Sequence, residues 1–508
     1  MSAAAMRYEP IRTLDRLLDG LTAEPEPAVA IGGIASDSRR IAPGDVFLAL
    51  QGLTRHGLDF LDQAIERNAA AVAWDADTGR TPPPTPGLVT VPVPGLAGRL
   101  GLIANRWYGK PSAQLKVSGV TGTNGKTTVA YLIAQCLQRL DIRAAYMGTL
   151  GAGVGGLREA QELTTPDCIE LQARLAGFVA AGATHAAIEV SSHALEQQRV
   201  AGVSFDSAIF TNLSRDHIDY HGSMHAYGEI KAAHLLRRDL RHRIVNTDSP
   251  FGRVLAGRCD GDVVSVSTRA DQDLRRPPYV CMRATQADVG GSAVRVDSSW
   301  GSAELYVPLP GHFNVANAGL ALAQLLAWDV PLAAAVEALS SVAAPPGRMQ
   351  RVRAEGETPV PAVYIDFAHT PAGLEAALVA LRNHCRGALW CVFGCGGDRD
   401  RGKRAPMGEV VSRLADHAVV TSDNPRGEAP GDIIREILAG MGGGEPVVLE
   451  DRAAAIVHAV SRAKPEDVVL IAGKGHEAYQ SIGGRRIPFS DDEAARGALA
   501  ARAPAGTP

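Results

Sequence analysis

The sequence predicts an α/β protein of three domains: an N-terminal α/β domain, a central P-loop-type parallel-sheet domain and a C-terminal Rossmann-like α/β domain. Three observations carry this reading. A chain of 508 residues corresponds to about three domains at roughly 150 residues each. Short apolar strand-like runs alternate with helical segments, which implies parallel sheets covered by helices. One strand–helix junction carries a Gly/Thr-rich turn, GVTGTNGKTT, at Gly119–Thr128.

Residues 1–94 mix short apolar runs, such as APGDVFLAL at Ala42–Leu50, with turn signals. They close in the Pro-rich TPPPTPGLVTVPVPG, which reads as a loop, a short strand and a linker. From about Gly95 the helical stretch LAGRLGLIANRWYG precedes a strand-like LKVSGV, the Gly/Thr turn and a helix beginning near Lys126. HAAIEV, SAIFTNL and HRIVN are further strands, with helical segments between most of them. A second change falls at AAPPGRMQRV, residues 343–352. Beyond it come AVYIDFA, a helix around Leu374–Arg382, ALWCVFG, HAVVTSD, a helix from Asp432, PVVLE and DVVLIAG, a second open-sheet unit. The expected domains are 1–94, 95–345 and 346–508, with ARAPAGTP as a loose tail. There is no internal repeat and no low-complexity tract.

Composition excludes several classes. Basic residues number 51 against 55 acidic ones, for a formal charge of −4, so no global attraction to nucleic acid is expected. The 54 glycines and 31 prolines exceed average usage without a period, which marks a globular chain rich in turns. No apolar run reaches the ~18 residues of a membrane helix; Ala316–Ala344 is broken by Gln324, Asp329, Pro331 and Glu337. The N-terminal MSAAAMRYEP lacks the apolar core of a signal peptide. Seven scattered cysteines argue against a disulfide framework and for a reducing cytoplasm. Cys391 and Cys395 are the closest pair, and no second pair completes a zinc site.

The Gly119–Thr128 segment carries the most chemistry. Glycines at 119, 122 and 125 allow a tight turn that brings amides close to phosphate oxygens. The following helix N-terminus adds unpaired N–H groups and a favourable dipole end. Lys126 is placed to reach the β- and γ-phosphates, and the Thr127 hydroxyl to ligate Mg²⁺. The generic Walker pattern fails by one residue, because Val120 stands where it needs glycine. Glu189 ends an apolar strand, a position suited to holding Mg²⁺ in a sheet with a phosphate loop. The run TNLSRDHIDYHG at Thr211–Gly222 follows another strand; His217 is a candidate metal or phosphate ligand, and Asp216 a candidate helix cap. Ser192 beside His193 does not make a hydrolase, since no G-x-S-x-G turn is present. Lys231, in HAYGEIKAAHLL, reads locally as a helix-surface lysine. GCGGDR is no dinucleotide fingerprint, because Arg399 stands where the third glycine is required.

The variant G-x-T-G-T-x-G-K-T-T resembles the ATP-binding loop of the Mur ligases, ATP-dependent amino-acid-adding enzymes of peptidoglycan precursor synthesis. E-x-S-S at Glu189 and N-x-x-x-D-H-x-D at Asn212 follow the same family pattern, and the likeness runs over nearly the whole chain. It implies ATP as co-substrate, bound by Gly119, Thr121, Gly122, Thr123, Asn124, Gly125, Lys126, Thr127 and Thr128. Asn314 in GHFNVANA is implied at the adenine, and Arg348 and Asp366 at ATP from the third domain. It also implies Mg²⁺ held by Thr127, Glu189, His217 and Lys231. Lys231 is then an N6-carboxylysine, a carbamate formed with CO₂ from the neutral amine. Lys126, Lys231, Glu189 and His217 are the implied catalytic residues.

The resemblance further points to members that add the third residue of the peptide, in forms taking meso-diaminopimelate or L-lysine. SDNPRGEAP at Ser422–Pro430 contains D-N-P-R, the signature of the diaminopimelate form. Diaminopimelate carries a second carboxylate, which the planar fork of Arg426 suits. Arg399, Asp423, Asn424, Pro425, Gly473 and Glu477 are the other implied contacts. The N-terminal domain is implied to bind the UDP sugar through Ser38, Thr54 and Arg55. Thr164, Thr165, Ser191, Gln197 and Arg199 are implied to meet the muramoyl-dipeptide. QGLTRHG varies among relatives, and Leu163 stands where some carry Asn. The expected partners are UDP-MurNAc-L-Ala-D-Glu, ATP and meso-diaminopimelate, with no nucleic acid, no membrane insertion and a monomeric state. Alternatives are an L-lysine-adding form, a folylpolyglutamate synthase-like ligase, against which D-N-P-R argues, and a nucleotide-binding module that has lost catalysis.

Overall fold

The computed structural model describes residues 11–23, 26–52, 54–157, 163–269, 277–288, 290–353, 359–383, 385–442 and 445–502. The N-terminal decapeptide, read above for a signal peptide, and most of the C-terminal tail lie outside the described residues.

From the N-terminus the chain forms helix α1 (Leu14–Leu18), strands β1 (Gly33–Ala35) and β2 (Asp45–Ala49), α2 (Leu61–Glu66), β3 (Ala71–Asp75), β4 (Val89–Val93) and α3 (Leu96–Trp107). Next come β5 (Lys116–Thr121), α4 (Lys126–Arg139), β6 (Ala144–Gly148), β7 (Gly151–Val154), α5 (Cys168–Ala180), β8 (His185–Glu189), α6 (Ser192–Glu196) and β9 (Ser207–Phe210). They are followed by α7 (Ile218–His221), α8 (Met224–Leu235), β10 (His242–Asn246), α9 (Pro250–Arg258), β11 (Val263–Ser267), β12 (Tyr279–Asp288), β13 (Gly291–Ser298) and β14 (Gly301–Val307). The remainder is α10 (His312–Ala327), α11 (Leu332–Ser340), β15 (Gln350–Val352), β16 (Ala362–Asp366), α12 (Pro371–Arg382), β17 (Leu389–Phe393), α13 (Arg404–Leu414), β18 (His417–Val420) and α14 (Pro430–Leu438). It closes with β19 (Val447–Val448), α15 (Arg452–Arg462), β20 (Val468–Ala472), β21 (Tyr479–Ile482), β22 (Arg485–Pro488) and α16 (Asp491–Ala500). None of the described helices is long and apolar enough to cross a membrane.

The chain divides into two compact units, 1–119 with 142–208 and 237–241, and 120–141 with 209–236 and 242–508. In the first, β1 to β4 form a parallel sheet in sequence order. The apolar residues of α1 recur at helical spacing, and Leu14, Leu17 and Leu18 pack with Val46, Val91, Leu96 and Ile103 in one core. Each such buried side chain stabilises by roughly 1.5–3 kcal/mol. In the same unit β6 runs parallel to β8 and antiparallel to β7.

In the second unit β10, β11 and β12 are parallel. From there the expected alternation of strands and helices breaks, because β12, β13 and β14 form an antiparallel meander. Its sequence alternates with period two, as in AVRVDS and AELYV, and the Gly301 turn is too short for a crossover helix. Helix α10 is buried from Asn317 to Ala327. It stops where Asp329 turns left-handed (φ +64°) and Pro331 opens α11, the break that the apolar run showed in sequence.

The last sheet has the order β15-β16-β20-β17-β18-β19, parallel except for β15. β17 and β20 are buried at every position, as central parallel strands covered on both faces must be. Thr370 caps α12, accepting from Gly373 N, with Pro371 at the first helical position, where its missing N–H costs nothing. The inner ends of α15 and α16 are joined by Arg452 and Asp491, both fully buried, at 2.7 Å. Arg452 also donates to the carbonyls of Ala472 (2.9 Å) and Ser422 (3.3 Å), at the ends of β20 and β18.

Arg452→Met should therefore lower unfolding free energy in urea by about 3–5 kcal/mol, because it strands a buried carboxylate. Pairing it with Asp491→Leu should recover most of the loss. Equal stability of the single and double variants would contradict the pairing.

Candidate functional site

The phosphate loop sits between β5 and α4. Gly122 (φ +144°) and Gly125 (φ +86°) hold conformations that side chains resist, and their surroundings leave no room for one. A Cβ on Gly122 would lie 1.9 Å from Thr211 Oγ1, and one on Gly125 would lie 2.5 Å from Asn317 Oδ1. No side chain caps α4, and a helix N-terminus favours an anion. The TNLS segment after β9 props the loop from below. Asn212 Oδ1 accepts from Asn124 N at 3.0 Å, Thr211 Oγ1 donates to Asn124 O at 2.6 Å, and Ser214 N donates to Thr123 Oγ1 at 3.0 Å. Gly119, Thr121, Thr127 and Thr128 are buried where strand and helix meet the loop. Lys126 Nζ folds back onto the carbonyls of Gly122 (2.9 Å) and Thr123 (2.8 Å).

A cavity of about 490 Å³ opens beside the loop, within the second unit, and is lined by Asn124, Gly125, Thr128, Asn314, Arg348 and Asp366 among others. That is the size of a small-molecule pocket. Arg348 reaches Thr127 Oγ1 at 3.3 Å and stacks 4.4 Å over the Phe367 ring. Asp366 ends β16, and its two oxygens accept from Met349 N (2.7 Å) and Ala368 N (2.9 Å), which pins the segment that carries Arg348. Burial raises the Asp366 pKa, and the Arg348 charge works against that rise. Asn314 is 2 % exposed, with Nδ2 donating to Pro310 O at 2.7 Å and Oδ1 accepting from Asn317 at 3.1 Å. The structure thus brings together the loop, Asn314, Arg348 and Asp366, which lie more than 200 residues apart in places.

Lys231 corrects its local reading. It is 1 % exposed, not a surface residue. Tyr227, Lys231 and Leu235 recur every four residues on the buried face of α8, a signal present in the sequence. Its Nζ donates to Gly122 O at 2.9 Å, the same oxygen that Lys126 engages, and lies 4.4 Å over the Tyr227 ring. Burial first, and the Lys126 charge second, lower the Lys231 pKa well below that of an ordinary lysine. His217, left-handed (φ +53°), caps the single turn of α7 and lies 6.4 Å from Tyr227 between ring centroids. Burial lowers its pKa too, with Asp216 at 3.4 Å opposing. Asp216 Oδ1 accepts from His217 N at 3.0 Å.

In the first unit Glu189 is the last residue of β8 and 1 % exposed. Oε1 accepts from Tyr146 Oη at 2.6 Å and Thr149 N at 2.8 Å, and Oε2 from Thr149 Oγ1 at 3.2 Å. Around it gather the predicted muramoyl-dipeptide residues. Thr164 Oγ1 lies 3.1 Å from Thr149 Oγ1, and Thr165 Oγ1 donates to Glu189 O at 2.8 Å and accepts from Ser191 N at 3.1 Å. Arg199 donates to Thr165 O at 3.1 Å and to Gln197 Oε1 at 3.0 Å. The UDP candidates are dispersed by comparison. Ser38 Oγ donates to Gln63 at 2.7 Å, Arg55 lies over Phe60 at 4.3 Å, and Thr54 is exposed.

The predicted amino-acid contacts cluster at the carboxyl ends of β17, β18 and β20, where an open α/β sheet places its ligands. Asn424, 3 % exposed, donates to Glu477 at 2.7 Å and accepts from Lys474 at 3.2 Å and Ser481 N at 2.9 Å. Asp423 is 7 % exposed, and its Oδ2 has no hydrogen-bond partner among the described residues; a Cβ on Gly473 would come within 2.3 Å of that oxygen. Arg426 is left-handed (φ +53°), and its backbone is paired to β21 through Ser481 O at 2.8 Å. Its Nη1 donates to Gly397 O at 2.7 Å and lies 3.5 Å from Asn424 O, with no hydrogen bond from Nε or Nη2 among the described residues. Pro425 is buried and Arg399 exposed. Arg404, missed in the sequence, is fully buried and clamps the two loops, reaching Glu428 at 2.7 Å and Glu436 at 2.9 Å. Lys474, Tyr146, Thr149 and Asn212 were also missed. Nearby Cys395 is 2 % exposed, and burial raises its thiol pKa, as it does for Cys391 in β17.

Three family models match the chain: Mur ligase family, catalytic domain, over 30–108; Mur ligase middle domain over 120–325; and Mur ligase, glutamate ligase domain, over 347–475. This chain belongs to the Mur ligase family.

The Mur ligase has curated relatives of matching length. It is 46 % identical over 492 residues to the UDP-N-acetylmuramoyl-L-alanyl-D-glutamate--2,6-diaminopimelate ligase of Alkalilimnicola ehrlichii, covering 95 % of this chain and 97 % of the relative. The protein of the same name from Pseudomonas aeruginosa is 45 % identical, covering 95 % and 98 %. A solved structure of a ligase of that name aligns with TM-score 0.70 at 32 % identity, over 96 % of this chain and 99 % of that one. A folylpolyglutamate synthase of Mycobacterium tuberculosis, at 21 % identity, TM-score 0.62 and coverage of 74 % and 92 %, shares the fold.

In this Mur ligase Lys231 bears on stability. Folding depresses its pKa at a cost in free energy, and the folded chain releases the proton before the unfolded chain does, so stability rises with pH between the depressed folded pKa and the ordinary value near 10.5. Lys231→Met removes that cost, and Lys126 still satisfies Gly122 O. Free of bicarbonate, the variant should be more stable than wild type at pH 7, with the difference shrinking toward pH 10, as read by urea denaturation. A less stable variant at pH 7 would contradict a buried lysine with a depressed pKa.

Proposed function

We propose that this Mur ligase works as three domains, 1–94, 95–345 and 346–508, that bind the UDP sugar, ATP and the amino acid. It is a ligase of peptidoglycan precursor synthesis that adds diaminopimelate to UDP-MurNAc-L-Ala-D-Glu. The observation that carries the acceptor assignment is the half-engaged fork of Arg426 beside the unpartnered Asp423 oxygen. The open guanidinium edge suits the second carboxylate of meso-diaminopimelate, and Asp423 with Glu477 suits the ammonium at the same centre. Lysine lacks that carboxylate and leaves the fork unmet.

A carboxylate is too electron-rich for direct attack by an amine. In the proposed route the γ-phosphoryl group of ATP passes to the D-Glu carboxylate, giving an acyl phosphate and ADP. The acceptor amine then attacks the acyl carbon, and the tetrahedral adduct expels phosphate to leave the amide. The residues 119–128 cradle the phosphates, and Lys126 leaves its loop carbonyls to neutralise charge on the transferred group. Asn314 meets the adenine, and Arg348, held by Asp366, meets the phosphates. Thr164, Thr165, Ser191, Gln197 and Arg199 hold the muramoyl-dipeptide, and Ser38, Thr54 and Arg55 the UDP.

Mg²⁺ belongs to this scheme through Thr127, Glu189, His217 and Lys231, and it supplies charge neutralisation when bound. Among the described residues no three His, Cys, Asp or Glu side chains form a ready metal cluster. The donor set fits if the buried Lys231 becomes a carbamate, which needs the neutral amine that its surroundings favour, with His217 as a neutral imidazole beside it. On this reading the Mur ligase works in the cytoplasm as a monomer.

Phosphate release from ATP with UDP-MurNAc-L-Ala-D-Glu should require an acceptor and prefer diaminopimelate to lysine. Release independent of either acceptor would sink the ligase reading, and a preference for lysine would sink the role of Arg426. Arg426→Ala should raise KM for diaminopimelate about 10- to 100-fold, the loss of a charge-assisted pair, while KM for ATP stays within about twofold. Lys231→Ala should abolish turnover; near-full activity would end the carbamate assignment.

A further inference from the structure

Beside Asn314, the cavity next to the phosphate loop holds a hydrogen-bond relay that ends on an imidazole. Asp248 accepts from Ser267 Oγ at 2.6 Å and from Thr268 N at 3.1 Å through Oδ1, and from Thr268 Oγ1 at 2.7 Å through Oδ2. A carboxylate only accepts, so the single hydroxyl proton of Thr268 is committed to Asp248. The same Thr268 oxygen lies 2.9 Å from His312 Nε2. With its proton spent, that oxygen must accept, and His312 carries its proton on Nε2. Nδ1 of the neutral ring is then an acceptor. The His312 ring makes no other hydrogen bond among the described residues and lines the same cavity as Asn314. The Asn314 amide spends one N–H on Pro310 and one oxygen lone pair on Asn317, which leaves one donor and one acceptor site for a base, and His312 adds a second reader.

We infer that the Asp248–Thr268–His312 relay selects a 6-aminopurine nucleotide over a 6-oxopurine one, His312 Nδ1 accepting from the exocyclic amino group. A 6-oxo group would set two acceptors against each other and leave both unsatisfied. The inference rests on the reading of this cavity as the nucleotide site.

The test compares ATP with inosine triphosphate, which differs at position 6, in the full phosphate-release reaction. Wild type should favour ATP by about tenfold or more in kcat/KM, with the difference in KM. Thr268→Val keeps the side-chain shape and the backbone bond to Asp248, frees the imidazole to take either tautomer and should bring the ratio to within about threefold. Nitrogen-15 NMR of the His312 ring should report the Nε2–H tautomer in wild type and a mixture in the variant, independently of turnover. A wild-type ratio near one with normal ATP turnover, or an Nδ1–H tautomer in wild type, overturns the relay and leaves the nucleotide site standing. Should the variant fail to fold, those two wild-type measurements decide. Phosphate release or nucleotide binding absent with both triphosphates would overturn the relay and the site reading together.

Discussion

Two lysines share one carbonyl. Lys126 and Lys231 both donate to the Gly122 oxygen at 2.9 Å, the first half-buried and the second fully buried. Two like charges that close, shielded from water, cannot both persist cheaply. Lys126 keeps a second carbonyl, that of Thr123, whereas Lys231 has the Tyr227 ring and deep burial. Of the two, Lys231 is the one whose pKa falls well below that of an ordinary lysine. Much of the surrounding architecture serves that arrangement. Gly122 turns its carbonyl inward, Thr211 and Asn212 fix the loop on which it sits, and the four-residue recurrence on α8 delivers the lysine to it.

The sheets follow a common rule. Glu189 is the last residue of β8, Asp366 the last of β16, and Asn424 and Gly473 lie just past β18 and β20. Strand interiors are apolar and closed, so polar groups collect where the strands end and loops begin. Buried ionic links stiffen these ends: Arg452 with Asp491, and Arg404 with Glu428 and Glu436. Each joins segments distant in sequence, and each fixes loop positions that hydrophobic burial, being non-directional, does not specify.

Short-range signals carried much of the sequence reading. The loop glycines, the strand-terminal Glu189 and the D-N-P-R turn are local patterns, and each falls where its pattern implied. The meander of β12 to β14 went unread because its period-two alternation sits inside a chain dominated by βα units. Lys231 reads as exposed on local sequence alone, because a lone cation on a helix is nearly always solvated; the resemblance singled it out, and its partner residues show the burial. Arg404 and Lys474 were missed for a related reason. Their importance lies in carboxylates and an amide 24 to 50 positions away, and pairings over that distance leave no periodic trace. Ser38, Thr54 and Arg55 rest on resemblance more than on geometry, since no shared network joins them.

The buried cysteines acquire a chemical meaning from the proposed intermediate. An acyl phosphate is an electrophile that thiolates attack readily, and a thioester formed on the protein would divert the activated substrate and inactivate the enzyme. Cys395 lies in the loop that follows β17, two residues from the glycine that anchors Arg426. Burial keeps its thiol protonated and sterically withdrawn. A sulfur so close to the acceptor loops is thus made chemically silent, and an amine entering there meets no competing nucleophile from that residue.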